Sequence, residues 1–282
     1  MEAIEFAFAE DQSVTASIGE RELWRYNHVP DASGQPCFHP LNTPADHTIS
    51  LLSPWDHVHH AGLWFAWKLI DGLNAWEGPG HPPYEVRIAP ISLLPRDAGF
   101  VATYEWHAQD GRLLLRGTTT CESHALADDA YAIDLSYEFS TPGDKPVLLD
   151  RNPPPISGYG GFSFRPVRAF RQATYIDAEG RTTPPDRGTP TPWHAYSGPI
   201  DGGLNWFGGA ALMDYPGNPR YPSPSYTMHE SEDFSFMHYA FLYDEPYELL
   251  PGSPLRLRYR VVLFDGAASA LDLEQWFTEF AG

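Results

Sequence analysis

Two cysteines, Cys37 and Cys121, are the whole thiol complement of this 282-residue chain. So few exclude a disulfide scaffold, and their spacing does not suggest a metal site. Basic side chains are also scarce. Eighteen Lys and Arg stand against 37 Asp and Glu, a formal charge of −19. Without clustered Lys and Arg, neither nucleic acid nor an anionic membrane surface is a suitable partner, and a neutral or cationic ligand is the natural one. No apolar run approaches the ~18 residues of a membrane span. The opening Met-Glu-Ala-Ile-Glu-Phe lacks the basic region and apolar core of a signal peptide. These absences lead to the expectation of a cytoplasmic protein with free thiols.

Helical periodicity is nearly missing too. Only residues 269–280 place Leu271, Leu273, Trp276, Phe277 and Phe280 on one side at helical spacing. Aromatic residues, 28 prolines and 24 glycines are abundant instead, without repeats, as in strands joined by shaped loops. Residues 4–9, 13–18, 22–26, 85–94, 98–108, 112–122, 131–140, 225–229, 234–242, 247–250 and 255–264 read as strands. In residues 131–140 the alternation is clear, with Ile133, Leu135, Tyr137 and Phe139 inward. Residues 27–46 hold Pro30, Pro36, Pro40 and Pro44 and read as an irregular loop. Arg256, Arg258 and Arg260 read as a solvated face of the last long strand. The fold expected over residues 1–282 is a single mainly β domain, a large antiparallel sandwich with a short C-terminal helix.

The chemistry concentrates in residues 51–67, where Asp56, His57, His59 and His60 fall within five positions and an aromatic run follows at once. In an extended strand His57 and His59 would share a face and His60 would point away. Imidazole serves as acid or base near neutral pH, so the cluster reads as catalytic, with hydrogen-bonded core histidines as the bland alternative. His39, in the proline-rich loop, could join it or be bound locally. Asn74, Trp76 and Glu77 fit a sugar-recognition edge, in which an indole stacks on C–H groups while amide and carboxylate take hydroxyls; an anchored loop Trp is the competing reading. Arg165 ends an aromatic strand, where a buried charge needs a partner. Asp214, Asn218 and Arg220 lie in a loop stiffened by Pro216, Pro219, Pro222 and Pro224, suited to holding polar groups in place.

Three ordered segments resemble one family. Asp56-His57-Val58-His59-His60-Ala61-Gly62-Leu63-Trp64 is similar to its Asp-His-x-His-His-x-Gly-Leu-Trp segment. Gly160-Gly161-Phe162-Ser163-Phe164-Arg165 is similar to its Gly-Gly-x-x-x-Arg segment. Asp214-Tyr215-Pro216-Gly217-Asn218-Pro219-Arg220-Tyr221-Pro222 matches its Asp-x-Pro-x-Asn-Pro-Arg-x-Pro segment. The chain thus resembles the PmoA-like group of uncharacterised bacterial proteins, labelled after methane oxygenase. That resemblance implies a galactose mutarotase-like supersandwich, a role in carbohydrate metabolism and association with a sugar oxidoreductase.

The leading expectation is a carbohydrate-active enzyme working at or near the anomeric carbon of a sugar or glycoside, by hydrolysis, elimination or epimerisation. One of His57, His59 or His60 would be the general acid or base, with Asp56 or Asp214 orienting it. Arg165, Asn218 and Arg220 would grip the substrate, and Trp64, Trp67 or Trp76 would wall the pocket. No cofactor is required by this reading. The alternatives are a divalent-metal enzyme using the same His and Asp side chains, and a glycan-binding module without chemistry.

Overall fold

The computed structural model describes residues 3–78, 84–152, 158–231 and 234–282. The first strands are β1 (Glu5–Phe8), β2 (Ser13–Ile18), β3 (Arg21–Asn27), β4 (Cys37–Leu41) and β5 (Leu63–Ala66), followed by the short β6 (Leu69–Ile70) and β7 (Leu73–Asn74). A run of long strands comes next: β8 (Val86–Arg96), β9 (Gly99–Ala108), β10 (Leu113–Ala127) and β11 (Ala130–Ser140). β12 (Val147–Asp150), β13 (Gly161–Phe164), β14 (Thr174–Asp177), β15 (Trp193–Pro199) and β16 (Phe207–Asp214) continue the chain. β17 (Met228–Ser231), β18 (Phe234–Tyr239), β19 (Tyr247–Leu249) and β20 (Leu255–Asp265) complete it, before helix α1 (Leu273–Ala281).

These strands form two eight-stranded sheets and a small third one, and every pairing is antiparallel. Sheet one runs β1-β2-β3-β4-β5-β13-β18-β17, and sheet two runs β14-β15-β16-β20-β11-β10-β9-β8. Their inner faces meet through aromatic rings. Phe65 lies 4.7 Å from Tyr137 and 5.0 Å from Phe139, Phe162 stacks on Tyr259 at 4.8 Å, and Tyr26 on Phe100 at 4.4 Å. Alternation decides which residues reach that core. In β11 Ile133, Leu135, Tyr137 and Phe139 face it, as the periodicity predicts. The expected antiparallel sandwich with a short C-terminal helix is therefore what the chain forms.

Three local readings need correction. Residues 37–41 are not loop but strand β4, which sits between β3 and β5. Pro40 lacks an N–H for the ladder, and the pairing is irregular there. It runs Trp24↔Leu41, then Tyr26↔Phe38, with Asn27 Nδ2 donating to the His39 carbonyl at 2.9 Å. Pro90 and Pro95 in β8 follow the simpler rule, since β8 is an edge strand. The helix is shorter than its periodicity: Asp272 caps it by accepting from Gln275 N at 3.0 Å, and residues 268–270 form a separate 3₁₀ turn.

The third correction concerns the arginine stripe of β20. Arg256 is exposed, but Arg260 is buried beneath α1, where it donates twice to Asp134 at 2.6 and 2.8 Å and once to the Trp276 carbonyl at 3.1 Å. The helix packs Leu273, Trp276 and Phe280 onto the outer face of sheet two and covers that end of the stripe. Cys37 and Cys121 are both buried and unpaired. Among the described residues no helix is long and apolar enough to cross a membrane.

Candidate functional site

The other face of sheet one carries the polar cluster. β5 is buried on both sides: Leu63 and Phe65 enter the sandwich core, and Trp64 and Ala66 face outward under a second apolar layer. Across the strands, Cys37, Trp64, Ser163 and His238 stand in one row. His238 is fully buried. Its Nδ1 lies 2.9 Å from both Ser163 Oγ and the Phe162 carbonyl, its Nε2 lies 3.2 Å from the Gly158 carbonyl, and burial pushes its pKa down to about 4.

The histidine segment itself is not extended. His57 N donates to the Pro54 carbonyl and His60 N to the His57 carbonyl, so residues 53–60 close as successive turns. Strand alternation therefore does not apply, and all three imidazoles converge. Ring centroids are 4.7 Å apart for His57 and His60, 4.9 Å for His59 and His60, and 5.6 Å for His57 and His59. Gly62 ends the loop at φ +64°, where a Cβ would come 2.3 Å from the Phe38 carbonyl oxygen. Only glycine lets the loop drop into β5 at that point. Gly161 has the equivalent role on β13: at φ +149°, its Cβ would meet the Tyr239 carbonyl at 2.0 Å.

Arg165, just after β13, reaches into this loop. Its side chain is 1% exposed, its Nη2 donates to Asp56 Oδ2 at 2.7 Å and its Nη1 donates to His60 Nδ1 at 3.1 Å. Arg168 Nη2 donates to Asp56 Oδ1 at 2.7 Å, and His57 Nδ1 lies 3.0 Å from Asp56 Oδ2. Burial alone would raise the Asp56 pKa. The hydrogen bonds from Arg165, His57 and Arg168 outweigh it and hold the carboxyl well below the usual range.

These contacts assign the protons. A guanidinium only donates, so His60 Nδ1 must be an unprotonated acceptor, and His60 is the neutral Nε2–H tautomer. Its burial, with His59, Arg165 and His57 nearby, lowers its pKa well below the ordinary imidazole value. An ionised carboxylate only accepts, so His57 Nδ1–H donates to Asp56. The His57 side chain is 37% exposed, whereas His60 is 2% exposed. The two imidazoles thus differ in both tautomer and access.

The remaining sequence candidates divide. Trp64 packs beside His60 at 5.2 Å. Trp76 is 1% exposed and packs against Trp64, His59 and Tyr159, so it is an anchored indole rather than an exposed edge. Trp67 is in the sandwich core, far from any wall role on this outer face. Glu77 binds Lys68 through both oxygens at 2.8 and 2.6 Å. Burial would raise its carboxyl; the Lys68 ammonium overrides that and lowers it. Asn74 Oδ1 accepts from Trp76 N at 3.2 Å, and His39 Nδ1 lies 2.8 Å from Ser50 Oγ.

Asp214, Asn218 and Arg220 make their contacts elsewhere. Asp214 accepts from Asn218 Nδ2 and Ser223 N, both at 2.7 Å, and burial pushes its pKa up to about 6. Asn218 also bridges to β20, donating to the Arg258 carbonyl and accepting from Arg258 N. Arg220 donates to the Phe241, Glu245 and Pro246 carbonyls and lies over the Phe241 ring. Their hydrogen bonds stitch the loop to its neighbours and, among the described residues, include none to the histidine cluster.

Sequence reasoning missed two residues at the cluster's rim. Trp55 is 83% exposed, and Arg168 bridges its ring, at 5.9 Å, to Asp56. Their signals were present: Trp55 directly precedes Asp56, and Arg168 adds a second cation three residues after Arg165. Among the described residues no group of three or more His, Cys, Asp or Glu is arranged to hold a metal ion. Within the cluster Asp56 accepts three N–H groups and His60 Nδ1 accepts one.

Fold and site together define an antiparallel β-sandwich with a carboxylate–imidazole–guanidinium cluster on one outer face. The chain belongs to a family of unknown function, DUF6807, whose model matches residues 13–278. No curated protein matches it. A solved structure described as "Crystal Structure Analysis of HI1317" aligns over 93% of this chain and 98% of its own, at 8% identity and a TM-score of 0.31. A likeness that slight carries no argument.

Proposed function

We propose that this protein is a carbohydrate-active enzyme that transfers a proton at or near the anomeric carbon of a sugar or glycoside, with His57 as general acid or base. The observation that carries the reading is the Asp56–His57 pair at the accessible rim of an otherwise buried cluster. Asp56 fixes the tautomer and stabilises the imidazolium when His57 takes a proton at Nε2. Arg165 and Arg168 hold Asp56 in place and keep it ionised. His60, neutral and buried, contributes a donor at Nε2 rather than a base. Trp55 offers an exposed ring on which the C–H face of a sugar can stack.

The resemblance to PmoA-like proteins and to galactose mutarotase-like sandwiches supports a carbohydrate substrate, since two of its three segments build this cluster. The same resemblance favours work beside a sugar oxidoreductase. Hydrolysis, elimination and epimerisation all need such a proton transfer. The test is turnover of a panel of aldoses, ketosugars and aryl glycosides followed by proton NMR. Removing a general acid or base costs ~10²–10⁴ in rate, so folded His57→Ala should lose that much while His57→Ala and wild type bind the substrate comparably. Turnover unchanged in His57→Ala, or sugar binding with no turnover of any panel member, refutes the enzymatic reading.

A further inference from the structure

A second groove lies on the opposite side of the molecule, and nothing in the cluster on sheet one involves it. It is a cavity of about 380 Å³ on the outer face of sheet two, formed by β10, β11, β20 and the turn after β16. That volume falls in the range of small-molecule sites. Its floor is set by strand register: Thr120, Ser136 and Arg258 are neighbours in one row, and Thr118, Glu138 and Arg256 in the next. The residues between them, Thr119, Tyr137, Leu257 and Tyr259, turn inward and are buried. The Thr118, Thr120 and Ser136 hydroxyls therefore all present to the groove, and none makes a hydrogen bond to the protein among the described residues.

Arg258 is the distinctive element. Its guanidinium lies against a pair of touching rings, 4.9 Å from the Tyr215 centroid and 4.7 Å from that of Phe280, which are themselves 5.6 Å apart. The nearest carboxylate, Asp134, is 3.7 Å away and already receives two shorter bonds from Arg260. Arg258 thus has a guanidinium packed on aromatic rings, 38% side-chain exposure and no side-chain hydrogen bond among the described residues. Arg256 beside it pairs with Glu138 at 2.8 Å, but those side chains are 72% and 45% exposed. An ion pair that open is readily exchanged for another anion. The groove walls carry two guanidinium groups and one carboxylate, a local positive balance in a chain of net charge −19.

The geometry points to a binding site for a small polyhydroxylated oxyanion, with a sugar acid as its ligand class. The Arg258 fork matches a planar carboxylate, the hydroxyl row matches a polyol, and Tyr215 offers a ring face to its C–H groups. This site is independent of the proposed catalysis.

Titration calorimetry of the intact protein tests it, with glucuronate, glucose and inorganic phosphate as probes. Glucuronate should bind saturably and at least ~10-fold more tightly than glucose, as expected for a charge-assisted bidentate contact. Arg258→Gln should weaken it ~10-fold or more, Arg258→Lys should restore only part of that, and Thr120→Val, at a strand position facing the groove, should weaken it severalfold. His57→Ala should leave it unchanged. No saturable glucuronate binding overturns the proposal, as does binding that survives Arg258→Gln or is abolished by His57→Ala. Phosphate binding as tight as glucuronate and indifferent to Thr120→Val overturns the sugar-acid assignment.

Discussion

Neutralising Asp56 gives the most direct test of the cluster. Asp56→Asn keeps the shape but removes the charge that compensates Arg165, whose side chain is 1% exposed, and Arg168, which is 28% exposed. The Asp56 carboxylate is itself 17% exposed and lies 2.7 Å from each guanidinium. Removing one partner of a buried pair costs ~3–5 kcal/mol, and the Arg168 share is discounted for solvent screening. A loss of about 3 kcal/mol is expected, or a fall of roughly 6–12 °C in Tm for a chain of this size. Urea denaturation followed by tryptophan fluorescence measures it. Adding Arg165→Met removes the charge that Asp56 compensated, so the double variant should lose less than the sum of the two single losses. The pH dependence has a definite sign. The folded Asp56 pKa is depressed, so its contribution is present above the ordinary carboxylate pKa of ~3.9 and fades as pH falls below it. The gap between wild type and Asp56→Asn should therefore close in acid. A variant within ~0.5 kcal/mol of wild type at pH 7, or a double variant whose losses simply add, refutes the assignment.

Asp214 behaves in the opposite sense. Its folded pKa is raised to about 6, so the stability linked to its protonation is complete below ~pH 4 and lost as pH rises through 6. Wild type should gain up to ~3 kcal/mol relative to Asp214→Asn between pH 7 and pH 4, and parallel stability profiles across that window would count against the buried-carboxyl reading. Gly62→Ala forces a left-handed Ala against the Phe38 carbonyl and should destabilise by ~2–4 kcal/mol in the same denaturation assay; a neutral result means the loop can re-route. Trp55→Ala should leave stability within ~0.5 kcal/mol but raise KM for a processed sugar ~3–10-fold, as the loss of a ring contact of ~1 kcal/mol implies. Unchanged KM would remove the indole from the site.

Much of the architecture could be read from residue order alone. Alternation placed Ile133, Leu135, Tyr137 and Phe139 inward, and the periodicity of the last residues marked the helix, because face selection in strands and helices is a local consequence of backbone geometry. The concentration of Asp56, His57, His59 and His60, and the need of Arg165 for a partner, were equally local signals. What local pattern could not supply was the path of the backbone and the pairing across long separations. β4 was hidden because proline content spoke louder than Cys37-Phe38-His39, and only its neighbours β3 and β5 give that segment a ladder. Strand alternation would give the histidines different faces, whereas turns 53–60, released by Gly62, bring all three rings together. Asp214, Asn218 and Arg220 look like members of the same site, yet Asp214 binds Asn218 and Ser223, Asn218 binds β20, and Arg220 binds residues 241–246. Composition and periodicity determined a β-sandwich, and residue order concentrated its polar cluster in one segment. Which carboxylate meets which guanidinium, and hence how His60 is protonated, depends on contacts over a hundred residues apart that exist only once β13 pairs with β5.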